Sequence, residues 1–223
     1  MGAGNIYLID NGSTDDTVAK AQAWVAKGRV QLVEYPVRHQ QVQHYRTAFR
    51  HFGIAQQCEW VLVADLDEFW FCPAGDSLEN ALKEFDRYDV IYSNWVMFGS
   101  CGLIEHPNSV REGFTQRREG VAGHNETKYF CRSRVLEKPA SLRIHKVRGG
   151  DSARTVSDTQ RFQLNHYPIQ SAAFFRAAKM TRGASDTPKS DFVREMDCFR
   201  KNDLRCDQHD RQLANLIAAA RKR

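Results

Sequence analysis

The chain has 223 residues, 42% of them hydrophobic and 26% charged, with a net charge of +5 at neutral pH; this is enough apolar material for one well-buried domain and argues against disorder. Its apolar runs are far too short to span a bilayer, and the start Met1-Gly2-Ala3-Gly4-Asn5 lacks the basic and apolar regions of a signal peptide, so a cytoplasmic location is expected. The six cysteines (Cys58, Cys72, Cys101, Cys131, Cys198, Cys206) contain no CxxC pair, which disfavours a zinc ribbon, and the Lys and Arg residues are spread along the chain, which speaks against a nucleic-acid partner.

The first predicted element is a strand over 5–9, which runs into Asp10-Asn11-Gly12-Ser13-Thr14-Asp15-Asp16-Thr17 and opens a helix over 14–27. Ser13 or Thr14 supplies the helix cap, and Asp15 and Asp16 fall in the electropositive first turn. A strand over 29–35 and a helix over 40–56 lead to a second apolar strand over 59–64. That strand ends abruptly in Asp65-Leu66-Asp67-Glu68-Phe69. A helix over 76–86 and a strand over 88–98 continue the alternation, which predicts an α/β fold with a mainly parallel sheet and helices on both faces.

Beyond Phe98 the glycines Gly99, Gly102, Gly113, Gly120 and Gly123 break the pattern into loops, with short strands expected at 127–131 and 141–147. A turn at Gly149-Gly150-Asp151-Ser152 precedes a last strand within 161–167, and the remainder reads as helical from about Ser171. Two amphipathic helices, over 189–201 and 207–222, place a boundary near residue 183: a domain over 1–183 and a C-terminal helical appendage over 184–223 packed on it. The basic end Arg221-Lys222-Arg223 leaves peripheral contact with the inner face of a membrane open beside this covering role.

Two strands that end in carboxylates carry the chemistry. In open α/β sheets ligands bind outside the carboxyl ends of the strands, so Asp10 and the Asp65–Glu68 segment are expected to look into one crevice. Paired acids one residue apart at such a place hold a divalent cation against a phosphate-bearing ligand. The plain alternative is turn chemistry, which uses the same residues in any fold.

A hard cation held by one or two carboxylates often takes a further ligand from histidine. His166 stands in the last strand, His145 alternates with apolar neighbours in Leu142-Arg143-Ile144-His145-Lys146, and His124 lies in the Gly123–Glu126 loop. Lys128 with Arg132, and Lys179 with Arg182, are candidate diphosphate contacts, with a solvated face as the alternative. A general base beside an acceptor hydroxyl would be a carboxylate. Glu105, Glu119 and Asp151 lie in suitable loops, and no spacing selects among them.

Taken in order, the strand-DNGSTDDT-helix segment, the strand-DLDEF segment, Trp95-Val96-Met97-Phe98-Gly99-Ser100 and Asn165-His166-Tyr167-Pro168-Ile169-Gln170-Ser171 resemble the nucleotide-sugar glycosyltransferases of the Rossmann-like GT-A fold, in the family 2-like and family 92-like subgroup. The likeness runs from about Asn5 to Gly183. It implies a metal-dependent transfer of a sugar from a UDP-sugar to a hydroxyl of a glycan or lipid-linked acceptor, with inversion, assisted by Mn2+ or Mg2+. It further implies that Asp67 ligates the metal together with Asp65, that Asp65 contacts the ribose or a metal-bound water, and that Glu68 touches the acceptor or a nearby water. Asp10 would accept a hydrogen bond from the uracil ring, Asn11 and Ser13 would order its loop, Gln43 and Arg46 would face the nucleotide, and His166 stands in the family-like context for a metal ligand.

In that family a further strand and loop normally precede the DNGSTD-type motif. The expected domain therefore lacks the usual first strand, has lost it to truncation, or completes its base pocket in another way. Two rivals remain: a nucleotide-sugar-binding or interaction domain without turnover, and a haloacid-dehalogenase-like phosphotransferase. The second wants its Asp-x-Asp strand near the start, whereas here it comes third in strand order.

Overall fold

The computed structural model describes residues 3–123, 126–138, 140–181 and 193–222. Strand β1 (Tyr7–Asp10) pairs in parallel with β2 (Gln31–Glu34), joined by the crossover helix α1 (Thr17–Val25) that parallel strands require. Helix α2 (Gln41–His51) buries His44, Ala48 and Phe49 on one face. The expected helix over 40–56 breaks at Gly53, whose φ of +58° admits glycine at no steric cost, and resumes as the single turn α3 (Ile54–Gln57).

The main sheet is built from β3 (Trp60–Leu62), β4 (Glu68–Phe71), β5 (Val90–Met97), β7 (Thr127–Arg132), β8 (Thr155–Ser157) and β9 (Gln163–His166); the two-residue β6 (Gln116–Arg117) lies outside it. Its strand order is β3-β7-β5-β9-β4, with β8 pairing to β5 as well. β3–β7, β7–β5 and β9–β4 are antiparallel, while β5–β8 and β5–β9 are parallel. The expectation of a mainly parallel sheet is thus corrected to a mixed one. β4 follows β3 through a turn and several later strands return through loops, connections that allow antiparallel pairing.

The other correction concerns 141–147, which forms no strand. Leu142 packs against Tyr129, and the Tyr129 hydroxyl donates to the Arg143 carbonyl at 2.5 Å. The apolar alternation there reflects a loop seated on the core. It is not a ladder.

Although consecutive in sequence, β3 and β4 lie at opposite ends of the five-strand path. A flat path of that kind is about 19 Å wide at about 4.8 Å per strand. The linker over 63–67 includes a turn, in which the Glu68 N–H donates to the Asp65 carbonyl at 3.0 Å, so it cannot be fully extended. The sheet therefore curls until its two ends approach. The inner face of the curl holds Trp70, Ile91, Phe130, Phe162 and Leu164. The outer face packs Val90, Tyr129, Cys131 and Leu136 against Phe49 and Ile54. Along β7 the side chains alternate between these two cores, as the two-residue period of a strand dictates.

Helix α4 (Leu78–Leu82) is capped by Ser77, whose Oγ accepts from the Asn80 N–H, and buries Leu78, Ala81 and Leu82. Two further single turns, α5 (Val110–Gly113) and α6 (Ser133–Leu136), precede α7 (Ala172–Phe174), which runs directly into a π-helical turn over Phe175–Lys179. Near the C-terminus, α8 (Met196–Asp203), β10 (Gln208–His209) and α9 (Gln212–Arg221) close on the end of β5. Asp203 accepts from the Ser100 N–H and hydroxyl at 2.6 and 2.7 Å, Arg117 pairs with Asp210 at 2.9 Å, and Leu213 and Ile217 pack on Phe71. No helix among the described residues is long and apolar enough to cross a membrane, and all six cysteines are free thiols.

Gly99 sits where this C-terminal segment meets β5. A Cβ there would lie 2.6 Å from the Cys206 Cβ and 2.7 Å from Asp203 Oδ1. Gly99→Ala is expected to cost about 1–3 kcal/mol by overpacking, read as a lowered urea midpoint at unchanged slope. An unchanged midpoint would mean that the contact yields freely.

Candidate active site at the Asp65–Glu68 turn

The turn between the two ends of the curled sheet gathers side chains from five other elements. Gln41 and Tyr45, one helical turn apart on α2, both point at Asp65: Gln41 Nε2 and the Tyr45 hydroxyl donate to Oδ1 at 2.7 and 2.9 Å. Lys128 of β7 donates to Oδ2 at 2.9 Å. Glu68 reaches back across the same turn. Its Oε2 accepts from the Asp65 N–H at 2.9 Å and lies 3.5 Å from the Lys128 ammonium, while Oε1 accepts from Trp95 Nε1 of β5 at 2.9 Å. Both the Lys128 and the Glu68 side chains have no exposure to solvent.

Asp67 has a separate set of partners. Lys179, the last residue of the π-helical turn, donates to its Oδ2 at 3.0 Å, and His166 Nε2 of β9 lies 3.6 Å from its Oδ1. The β4–β9 register places His166 opposite Glu68, and the Tyr167 N–H donates to the Asp67 carbonyl at 2.9 Å. The His166 ring lies against Trp95 with centroids 4.3 Å apart, and its Nδ1 is buried without a partner among the described residues. Trp95 is therefore a common wall, touching Glu68, His166 and, at 5.4 Å, the ring of His145.

Neighbouring carboxyls are driven in opposite directions. Burial and the adjacent Asp65 charge push Glu68 up to about 8, against the pull of Lys128. Burial also works against Asp67, but the His166 ring and the Lys179 ammonium outweigh it and hold its carboxyl well below the usual carboxylate range. Burial and the Asp65 charge raise the Tyr45 hydroxyl far above its ordinary value, so it stays a donor. Adjacent acids separated in this way suit a site in which one carboxylate stays charged for a cation and its neighbour serves as a buried brace.

The other sequence candidates are placed as follows. The Asp10 carboxylate, buried at the end of β1, accepts from the Gly12 and Ser13 N–H groups at 3.0 and 3.1 Å; burial works against its charge, and these donors keep it below the usual range. Asn11 and Ser13 are exposed. The Tyr35 N–H donates to the Asp10 carbonyl, and the Tyr35 ring meets His44 of α2 edge-on at 5.0 Å. The β1 and β2 ends are thereby tied to the helix that holds Asp65.

Gln43 is exposed, and Arg46 donates to the Ala140 carbonyl at 3.4 Å. His145 Nδ1 lies 3.2 Å from the Thr127 carbonyl. Glu105 and Glu119 stand exposed on loops, and Asp151 caps the turn over Ser152–Arg154 by accepting from the Ala153 N–H. Among the described residues, no hydrogen bond or ion pair joins these three acids to the Asp65–Glu68 cluster. Arg132 pairs with Glu59 and Asp86 at the far end of β7. His124 and Arg182 lie outside the described residues.

Gln41, Tyr45 and Trp95 belong to this cluster and were not singled out from the sequence. The signal for the first two was their spacing of four on the expected helix, two residues off the phase of Gln43. Lys128, read as a phosphate contact, is instead fully buried between two acids. A lone lysine in the strand run Thr127–Arg132 marks a buried partner for an acid.

The profile of glycosyltransferase family 92 matches residues 1–205. Among curated relatives, a glycosyltransferase family 92 protein of Ricinus communis is 27% identical over 178 residues, covering 76% of this chain and 31% of that protein. One of Oryza sativa subsp. japonica is 24% identical over 175 residues, covering 76% of this chain and 29% of that protein. The crystal structure of A197 from STIV superposes with a TM-score of 0.38 at 17% identity, over 73% of this chain and 84% of that one. The chain belongs to glycosyltransferase family 92 and spans about a third of the length of the curated relatives it matches.

The raised Glu68 carboxyl gives a pH signature. Its proton is bound more tightly in the folded chain than in the unfolded one, where it leaves near pH 4.3. The stability it confers is therefore complete below that pH and is lost as pH rises through about 8. Glu68→Gln should flatten the fall in unfolding free energy between pH 5 and pH 8, measured by urea titration at both. An identical slope in the variant would show that Glu68 is ionised throughout.

Proposed function

We propose that this chain is the donor-binding domain of a metal-dependent glycosyltransferase, GT-A-like in arrangement, moving a sugar with inversion from a UDP-sugar to a hydroxyl of a glycan or lipid-linked acceptor. The observation that carries the reading is the sorting of carboxylates at the Asp65–Glu68 turn in a family 92 chain. Asp65 and Glu68 are locked by neutral donors and a buried lysine. Asp67 keeps its charge and faces a histidine.

Among the described residues there is no group of three or more His, Cys, Asp and Glu side chains disposed to hold a metal ion. The donors that fit are two, Asp67 Oδ1 and His166 Nε2. At 3.6 Å they are too far apart for a good hydrogen bond. Ligands sharing one cation with bonds of about 2.1 Å stand about 3 Å apart or a little more, so a small adjustment suffices. Mn2+ or Mg2+ commonly takes one or two protein ligands and fills its shell from phosphate oxygens and water. When bound, such an ion would neutralise charge developing on the departing diphosphate.

The chain's own residues set the stage for this. Trp95 holds the His166 ring through a tilted ring contact and Glu68 by its indole N–H. Gln41, Tyr45 and Lys128 fix the Asp65 carboxylate, leaving its remaining lone pair for the ribose or a bound water. Asp10, with Asn11 and Ser13, stands at the end of β1, which pairs with β2 outside the main sheet, and is assigned to the uracil side.

The test is calorimetric titration of UDP in the presence of Mn2+, paired with UDP release across a set of UDP-sugars. Asp67→Asn preserves shape and removes the charge, and should weaken Mn2+-dependent UDP binding by about tenfold to a hundredfold. Unchanged affinity would remove Asp67 from the metal site. Binding without UDP release from any UDP-sugar would leave a binding domain in place of an enzyme.

A further inference from the structure

We propose that Lys179 occupies Asp67 in the ligand-free chain and passes to the donor's diphosphate on binding, so that the metal and the nucleotide enter the site together. This rests on the donor-site reading above and adds to it an order of events and a residue.

The two lysines of the site differ in what they can do. Lys128 has no solvent exposure and is shared between Asp65 and Glu68, so withdrawing it would strand two buried acids. Among the described residues Lys179 makes a single ion pair, with Asp67, and its side chain keeps 15% exposure. It ends the π-helical turn, in which the Met180 N–H donates to the Phe175 carbonyl at 3.0 Å, five residues back. Such wide turns are frequent at functional sites. The Phe174 ring lies 5.8 Å from the Lys179 ammonium and offers it a second resting face.

Asp67 has two carboxylate oxygens and three claimants. Lys179 sits on Oδ2, His166 faces Oδ1, and a divalent cation would need the same carboxylate. A metal ion is the largest local charge wherever it binds, and an ammonium held against the same buried carboxylate repels it. Asp67 alone cannot balance both cations. A diphosphate can, because it brings negative oxygens for the ammonium as well as for the metal. Each ligand thus removes the obstacle to the other, and linkage requires the coupling to be reciprocal.

The experiment titrates the full chain with Mn2+ alone and with UDP in the presence of Mn2+, for the wild type, Lys179→Met and Lys179→Arg. The methionine variant should bind Mn2+ alone about tenfold more tightly, because Asp67 is released, and UDP about tenfold more weakly, because the diphosphate loses its cation. Lys179→Arg, which keeps the charge, should restore both affinities toward the wild type. Opposite shifts are the signature, since a general loss of structure would lower both. Mn2+ binding that is unchanged or weaker in Lys179→Met overturns the proposal, as does unchanged UDP binding. If Lys179→Met does not fold, Lys179→Gln takes its place in the same comparison. A wild type that binds through Asp67 but ignores Lys179 fails this inference alone. A wild type that binds neither Mn2+ nor UDP defeats the donor-site reading and this inference with it.

Discussion

The ammonium of Lys128 is the interaction on which the site depends. It is buried completely on the inner face of the curled sheet, 2.9 Å from Asp65 and 3.5 Å from Glu68. A buried charge without a partner costs several kcal/mol, and here each member compensates the others. Without the lysine, the Asp65 carboxylate and the Glu68 carboxyl, three residues apart, would face each other across a tight turn in a poorly solvated place. With it, the turn closes on itself, since Glu68 also takes the Asp65 backbone N–H. The two acids therefore act as a frame. The conformation they impose projects Asp67 away from them, toward β9 and the π-helical turn.

That separation decides the electrostatics. Asp65 is saturated on one oxygen by two neutral donors from α2, and Glu68 is pushed toward its protonated form by burial and by the charge of Asp65. Asp67, two residues from Asp65 and next to Glu68, is held ionised by the His166 ring and the Lys179 ammonium, which neither of them shares. Three acids within four positions thus carry three different tasks. Their environments come from different strands and helices, so local sequence alone does not distinguish them. Trp95 couples the two halves by holding Glu68 through its N–H and His166 through its ring face.

The curl of the sheet is the geometric counterpart of this arrangement. A short linker that joins the two ends of a five-strand path must sit where those ends converge, and convergence brings β7, β9 and α2 to the same point. Connections of this kind are favourable places for function, because a loop held at both ends by rigid strands presents side chains accurately. The C-terminal segment closes on the end of β5 through Ser100 and Asp203, just past the strand that carries Trp95.

Much of this was legible in the residues themselves. The strands at 59–64 and 88–98, the helices near 14–27 and 40–56, and the acid-rich strand end were all read from periodicity and abrupt polarity changes, because those signals are local. The family followed from the order of four short motifs. The pairing of strands was not legible: alternation of strands and helices suggested a mainly parallel sheet, but direction depends on where each strand returns, and β4 returns without a helix. The segment over 141–147 misled in the same way, since a loop lying on Tyr129 buries alternate residues as a strand does. Sequence by itself determined which residue types stand at the strand ends. Only the tertiary structure decided that Lys128 belongs to Asp65 and Glu68, and Lys179 and His166 to Asp67, because an ion pair between residues 63 or 112 positions apart is selected by burial and distance, neither of which the linear order contains.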